Sequence, residues 1–362
     1  NGKDYNQTET VCGEDYELVE MKDLCKIRLG TRITKKNNIE GEIPVYGGGD
    51  ITFYTSEPNR NINTLIVSRY AMSKTCVRII DTPFYLNDSG LSLHCHDNEK
   101  QEFINYLMTS DYIQQYIYEN MTVGSIQRNI NMDNFKKMKI SVPKNPEKIQ
   151  HWVDKISQPY NEKNEKQTRI QELEKTIQER IQSICDNEDC EKVELGSVCE
   201  IRLGTRITKK NNIEGDIPVY GGGDITFYTI EPNRDVNTLI VSRYAMSKIC
   251  TRIINTEFYL NDSGLSIHCH DTSKQRFINY LMTSKHIQKY IYENMTAGSI
   301  QRNITMDNFK KMKIKLPKNK KLIDDLNPMF QEIEEHQQAV KDADELYKKY
   351  IHELSNEAIP KP

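Results

Sequence analysis

The stretch KIRLGTRITKKNNIEGEIPVYGGGDITFY, residues 26–54, decides how this chain is organised, because it returns as EIRLGTRITKKNNIEGDIPVYGGGDITFY at residues 200–228. The repeat extends outward from there. At a constant offset of 174 and without a gap, Cys25–Asn145 matches Cys199–Asn319. TLIVSRYAMSK at residues 64–74 recurs at 238–248, and GSIQRN at 124–129 recurs at 298–303. About twenty of the 121 aligned positions differ, and most changes are conservative or surface-like (Glu42/Asp216, Ile62/Val236, Leu93/Ile267). Solenoid repeats have periods of about 20–50 residues, so a unit this long is a domain. The chain carries one domain twice, and whatever that domain reads is read twice.

Composition agrees. A length of 362 residues fits about two domains, and 37% hydrophobic residues supply real cores. The net charge of −3 sets up no global attraction to nucleic acid, so any DNA binding must come from local patches. Nine cysteines without a secretory leader read as reduced thiols and a cytoplasmic setting. No run of 18 apolar residues exists, so no membrane partner is expected.

Residues 1–16 are polar and aperiodic and read as a disordered tail. The first domain, 17–145, opens with a lead-in of near-helical spacing at Glu17–Ile27. Strands are expected at Ile43–Tyr46, Thr64–Val67, Val77–Ile80, Gly90–Cys95 and Lys139–Val142, where β-branched or alternating residues sit between turn formers. Phe103–Met121 has the apolar spacing of one amphipathic helix, and Asp133–Met138 reads as a helical turn. Residues 146–185 lack glycine, are rich in Glu, Gln and Lys, and place Ile149, Trp152, Ile156, Ile170, Leu173 and Ile177 on a heptad seam. Pro159, Lys163 and Lys166 break that seam. The second domain spans 186–319, and 320–358 repeats the helix, with Phe330, Ile333, Gln337, Val340, Asp344, Tyr347, Ile351 and Leu354 in a 3-4 rhythm. Stripes so narrow need a partner. The fold class is therefore α+β: two globular α+β domains, separated and followed by long helices that pair as an antiparallel coiled coil with pseudo-twofold symmetry. Ile170, Leu173 and Ile177 are expected to pack against Tyr347, Ile351 and the turns before them.

Charge is segregated. Gly124–Asn145 holds five basic residues against the single acid Asp133, and Arg28–Lys36 and Thr64–Ile80 hold bases only. Ten acids fall between Asp324 and Glu357. Basic domains on acidic rods suit phosphate binding, although solvated lysines at helix ends would look similar. Beside the bases lie side chains able to read base edges or pack on sugars. The candidate DNA-contacting residues are Arg32, Lys35, Lys36, Tyr46, Arg69, Tyr70, Lys74, Ser125, Gln127, Arg128 and Asn129. Their repeats are Arg206, Lys209, Lys210, Tyr220, Arg243, Tyr244, Lys248, Ser299, Gln301, Arg302 and Asn303. Gly47–Gly49 is not a phosphate loop, since no GK[ST] follows; it suits positive φ or a close backbone approach. His94-Cys95-His96-Asp97 would turn both histidines to one face of a strand and converges at most two ligands, so no metal is expected. No GxSxG, HExxH or Walker motif is present, and no catalytic residue is assigned.

IPVYGGGDI, TLIVSR, PFYLND and GSIQRNINMDNFKKMKISVPKN, each copy closed by a long helix, resemble the target recognition domains of type I restriction-modification specificity (S) subunits. The resemblance covers residues 17–354 in the order domain–helix–domain–helix. It implies that each domain reads one half of a split double-stranded DNA target, and that the paired helices set the spacing and dock methyltransferase subunits, two of them. It also implies a chain that is not itself an enzyme and holds no cofactor, S-adenosylmethionine belonging to the methyltransferase partner. Restriction or translocase subunits are further expected partners. Members of that family carry two dissimilar recognition domains, whereas these are near twins, so an inverted-repeat target is expected. A stand-alone DNA-binding homologue and a protein-interaction scaffold are the rival readings; salt-dependent DNA binding and co-purification with a methyltransferase separate them.

Overall fold

The computed structural model describes residues 12–358, apart from residues 71, 74, 125, 126, 245, 246, 248 and 299–301. Two compact units divide it: residues 1–164 with 341–362, and residues 165–340. Shifted by 174, the first becomes 167–338, so both are assembled from the same parts. Each takes one repeated domain, the beginning of the helix that follows it, and the end of the other long helix.

In the first unit an antiparallel sheet has the order Cys25–Leu29, Gly90–Cys95, Thr64–Ser68, Val77–Ile80. Thr64–Ser68 is buried at every position, as its run Leu65-Ile66-Val67, rich in β-branched residues, suggests. Successive side chains alternate between the faces. Leu65, Val67, Leu91 and Leu93 face Phe103, Leu107 and Ile117 of two helices in the main core. On the other face, Ile66 and Ile80 join Phe84 and Leu86 in a small core against a second sheet. That sheet has the order Phe53–Thr55, Ile43–Tyr46, Tyr85–Leu86, its last pair parallel. The second unit repeats both sheets.

Two local expectations change. Phe103–Met121 is two helices, Gln101–Met108 and Asp111–Asn120. Ser110 takes an extended conformation and its hydroxyl accepts a hydrogen bond from Ile113 N at 3.3 Å, starting a new helix where the apolar spacing reads through. The lead-in is a strand, Tyr16–Glu20, then one helical turn, Met21–Leu24. Tyr16–Glu20 pairs antiparallel with Lys139–Pro143, a partner too far along the chain for local spacing to reveal.

The first long helix runs from Pro146 to Asn187 and passes through Pro159 without a break. The second runs from Asn327 to Ala358. In the first unit Ile149, Trp152, Val153 and Ile156 share a core with Ile351, Leu354 and Ala358. Ion pairs Lys148–Glu357 (2.5 Å), Lys155–Glu353 (2.7 Å) and Lys163–Asp344 (2.6 Å) run in opposite directions along the two segments, which are therefore antiparallel. In the second unit Leu173, Ile177 and Ile181 pack with Leu326, Phe330 and Ile333, and Arg169 pairs with Glu332 at 2.8 Å. The expected seam is corrected accordingly. Ile170, Leu173 and Ile177 pack with the beginning of the second helix, while Tyr347 and Ile351 pack with Trp152 and Ile156. Antiparallel pairing opposes the end of one helix to the start of the other, whereas the repeat offset aligns starts with starts. Among the described residues, no helix is long and apolar enough to cross a membrane.

Candidate nucleic-acid interface

The segment Asn87-Asp88-Ser89, between the strands Tyr85–Leu86 and Gly90–Cys95, holds the candidate residues together. Asn87 N donates to Tyr46 O at 2.8 Å and Arg69 N donates to Ser89 O at 2.9 Å. Thr31 N donates to Leu86 O at 2.9 Å, and Asn87 Nδ2 donates to Ile33 O at 3.2 Å, fixing the start of the basic loop that carries Arg32, Lys35 and Lys36. Ile130 N donates to Arg69 O at 2.9 Å and Met72 N donates to Arg128 O at 2.9 Å, seating the segment 127–130 beside 69–72. Four stretches far apart in sequence thus form one surface. The second unit repeats the pattern: Asn261 N to Tyr220 O (2.8 Å), Arg243 N to Ser263 O (2.9 Å), Thr205 N to Leu260 O (2.9 Å) and Ile304 N to Arg243 O (2.9 Å).

Glycine serves this surface at two points. A Cβ on Gly47 would come within 2.2 Å of Ser89 Oγ, so the first residue of the triple glycine allows a close approach, at ordinary φ. Gly124 and Gly298 adopt φ of 105° and 110°, which side chains rarely accept, and open the GSIQRN loop.

Arg32, Lys35, Lys36, Arg206, Lys209 and Lys210 are exposed, as are Tyr70, Tyr244 and Gln127. The Arg69 guanidinium lies 4.8 Å over the Tyr70 ring and donates to Asp88 O at 3.1 Å; Arg243 repeats this over Tyr244. Tyr46 and Tyr220 are half-buried, edge-on to Phe84 and Phe258 at 5.6 Å. Arg128 turns inward. Its Nη1 donates to Tyr118 O (2.9 Å) and Thr122 Oγ1 (3.1 Å), and the guanidinium stacks 4.7 Å from the Tyr118 ring. Arg302 does the same with Tyr292 and Thr296. Both arginines use Nη1 and the guanidinium face to tie this segment to the preceding helix. Asn129 and Asn303 lie on short strands. Lys74, Ser125, Lys248, Ser299 and Gln301 lie outside the described residues. Acids are present too: Asp50 pairs with Arg78 at 3.1 Å and Asp224 with Arg252 at 3.0 Å.

The sequence reading gave no role to Asn87, Ser89 or Tyr118, although a run of Asn, Asp and Ser between strands is a turn signal. His94 lies on a strand with Nε2 3.0 Å from Ser92 Oγ. Among the described residues, no group of three or more His, Cys, Asp or Glu side chains is placed to hold a metal.

Comparison with known proteins fits this arrangement. The family model described as the type I restriction modification DNA specificity domain matches residues 13–175 and again 187–343. The fold is similar to that of the type I restriction-modification S subunit from M. genitalium, at 17% identity and a TM-score of 0.52, covering 92% of this chain and 96% of that one. The HsdS subunit from Thermoanaerobacter tengcongensis aligns at 14% identity and a TM-score of 0.33, over 98% and 99% of the two chains. No curated protein sequence matches the chain. With both copies matched over most of their length, the chain belongs to the family of type I restriction-modification DNA specificity subunits and carries that family's domain twice.

Proposed function

We propose that each unit reads one half of a bipartite DNA target through the surface gathered on Asn87–Ser89 and on Asn261–Ser263, and that the two halves are the same sequence in inverted orientation. The observation that carries this is the backbone network joining the basic loop, the Tyr-Gly-Gly segment, the Arg-Tyr pair and the segment after Arg128, four of whose hydrogen bonds recur with equivalent partners in the second unit. Exposed bases would supply phosphate contacts, and the exposed Gln127 and Tyr70 are of types suited to base edges and sugars. The chain contributes recognition and not catalysis. Methyltransferase subunits, two of them and each using S-adenosylmethionine, dock on the paired helices; restriction or translocase subunits join that assembly in turn, in the cytoplasm.

Binding of the full chain to a duplex selected from a random pool tests this. The affinity should fall steeply between about 50 and 200 mM salt, since phosphate contacts release counterions. Arg32→Ala with Lys35→Ala should weaken binding to all sequences alike, and Gln127→Ala should relax the preference at one position of the site. Binding that ignores salt and survives the loss of the loop bases would refute the reading.

A further inference from the structure

The substitutions that separate the two units are uneven, and one of them lies in a cavity with another beside it. In the first unit a cavity of about 290 Å³ lies along the edge strand Cys25–Leu29, and among its lining residues are Arg28, Arg60, Asn61, His94 and Gln101. No acid lines it. Arg60 is fixed in place: Nε donates to Ser92 Oγ, Nη1 to Asn59 O and Nη2 to Leu29 O, each at 2.8 Å. Lys26 stands across from His94 in the strand register, two residues before Arg28 on the same face. Two arginines therefore line a polar cavity and a lysine stands beside it, opposite His94, a cluster of positive charge that suits a counterion.

The second unit keeps the arginines and answers their charge. Arg234 makes the same three hydrogen bonds as Arg60. Glu200 replaces Lys26 and accepts from Arg202 Nη2 at 2.6 Å. Asp235 replaces Asn61 and acts electrostatically on Arg234. Three positive charges in one unit become two positive and two negative in the other. The built-in carboxylates occupy the role that an external anion would have.

We infer that the cavity of the first unit, lined by Arg28, Arg60 and Asn61 with Lys26 beside it, binds a phosphate-type oxyanion that the second unit does not bind. A bound DNA backbone phosphate and a free phosphate share this chemistry. Either source makes the near-twin units inequivalent in charge, although their recognition loops match.

The molecule supplies its own control, since the second unit shows that this fold accepts Glu and Asp at the two positions. Titrating the full chain with inorganic phosphate, without DNA, should show one site. Lys26→Glu with Asn61→Asp should weaken that site at least tenfold, and Glu200→Lys with Asp235→Asn should create a second. If the phosphate belongs to DNA, the double variant of the first unit should also lower the slope of log Kd against log salt by about one, and DNA should displace inorganic phosphate. If the source is free phosphate, it should bind the DNA complex undiminished and leave that slope unchanged. No phosphate binding with an unchanged slope, or binding indifferent to both pairs of substitutions, would overturn the inference. The phosphate measurement needs no DNA recognition, so its outcome is independent of the function proposed above.

Discussion

Arg128 shows how a side chain's role depends on what surrounds it. In sequence it is a cation in a polar loop, equally suited to a guanine edge or to its own backbone. In the fold its Nη1 serves Tyr118 O and Thr122 Oγ1, and its plane covers the Tyr118 ring. Charge-assisted hydrogen bonds contribute about 1.5–3 kcal/mol and an exposed cation–π contact about 0.5–1. Arg128→Ala should therefore lower stability by about 1–3 kcal/mol in denaturant unfolding, whereas exposed Gln127→Ala should alter DNA preference and leave stability unchanged. Equal stability of the two variants would show that Arg128 is not a clamp. His94 is the second case at this scale. Burial, then Arg28, Arg60 and Lys26, hold its imidazole down to about 4, against about 6.5 when unfolded. Below pH 6.5 the unfolded chain gains a proton that the folded chain refuses, so stability falls from about pH 6.5 to about pH 4 and then levels. His94→Gln should reduce the loss of Tm between pH 7 and pH 5; an unchanged loss would show that this imidazole titrates as it does in the unfolded chain.

At the scale of elements, strands with their own β-branched runs were legible, because burial on both faces leaves a continuous apolar signature. Helix starts set by one hydroxyl, such as Ser110, were hidden behind the stronger apolar period. The helix seam was legible in kind and misplaced in register. Its polar interruptions explain themselves once the antiparallel pairing is known: Lys163, which breaks one seam, meets Asp344, which breaks the other, at 2.6 Å. Burial works against the Asp344 carboxylate, yet Lys163 and Lys348 outweigh it and keep its pKa below the usual range. A polar pair in an apolar seam fixes register at some cost in stability. Lys163→Leu alone should destabilise by about 1 kcal/mol, because the pair is partly solvated, while Lys163→Leu with Asp344→Leu should be neutral or stabilising. A double variant no more stable than the single one would remove the registry role. Leu173→Ala should cost about 2–5 kcal/mol, as Leu173 is buried with Phe330 and Ile333; a smaller loss would mean this half of the seam is loosely packed.

At the scale of the whole molecule, the repeat announces two equal domains, and every candidate DNA-contacting residue is identical between them. What a sequence cannot display is that each long helix is divided between the units. Residues 146–164 serve the first and 165–187 the second, while 327–340 serve the second and 341–358 the first. The function proposed above relates the two readers by a twofold axis, as the subunits of a homodimer are related. DNA strands are antiparallel, so readers related in that way meet the same sequence on opposite strands. The preferred target should then be an interrupted inverted repeat, with its gap set by the helices. Substitutions at the loops are few: Arg32, Lys35, Tyr46, Arg69, Gln127 and Arg128 all recur unchanged. Selection from a random duplex pool should return two matching halves in inverted order, and exchanging residues 25–145 for 199–319 should leave that preference intact. Two unrelated halves, or the same half repeated directly, would rule out a twofold relation of the two readers.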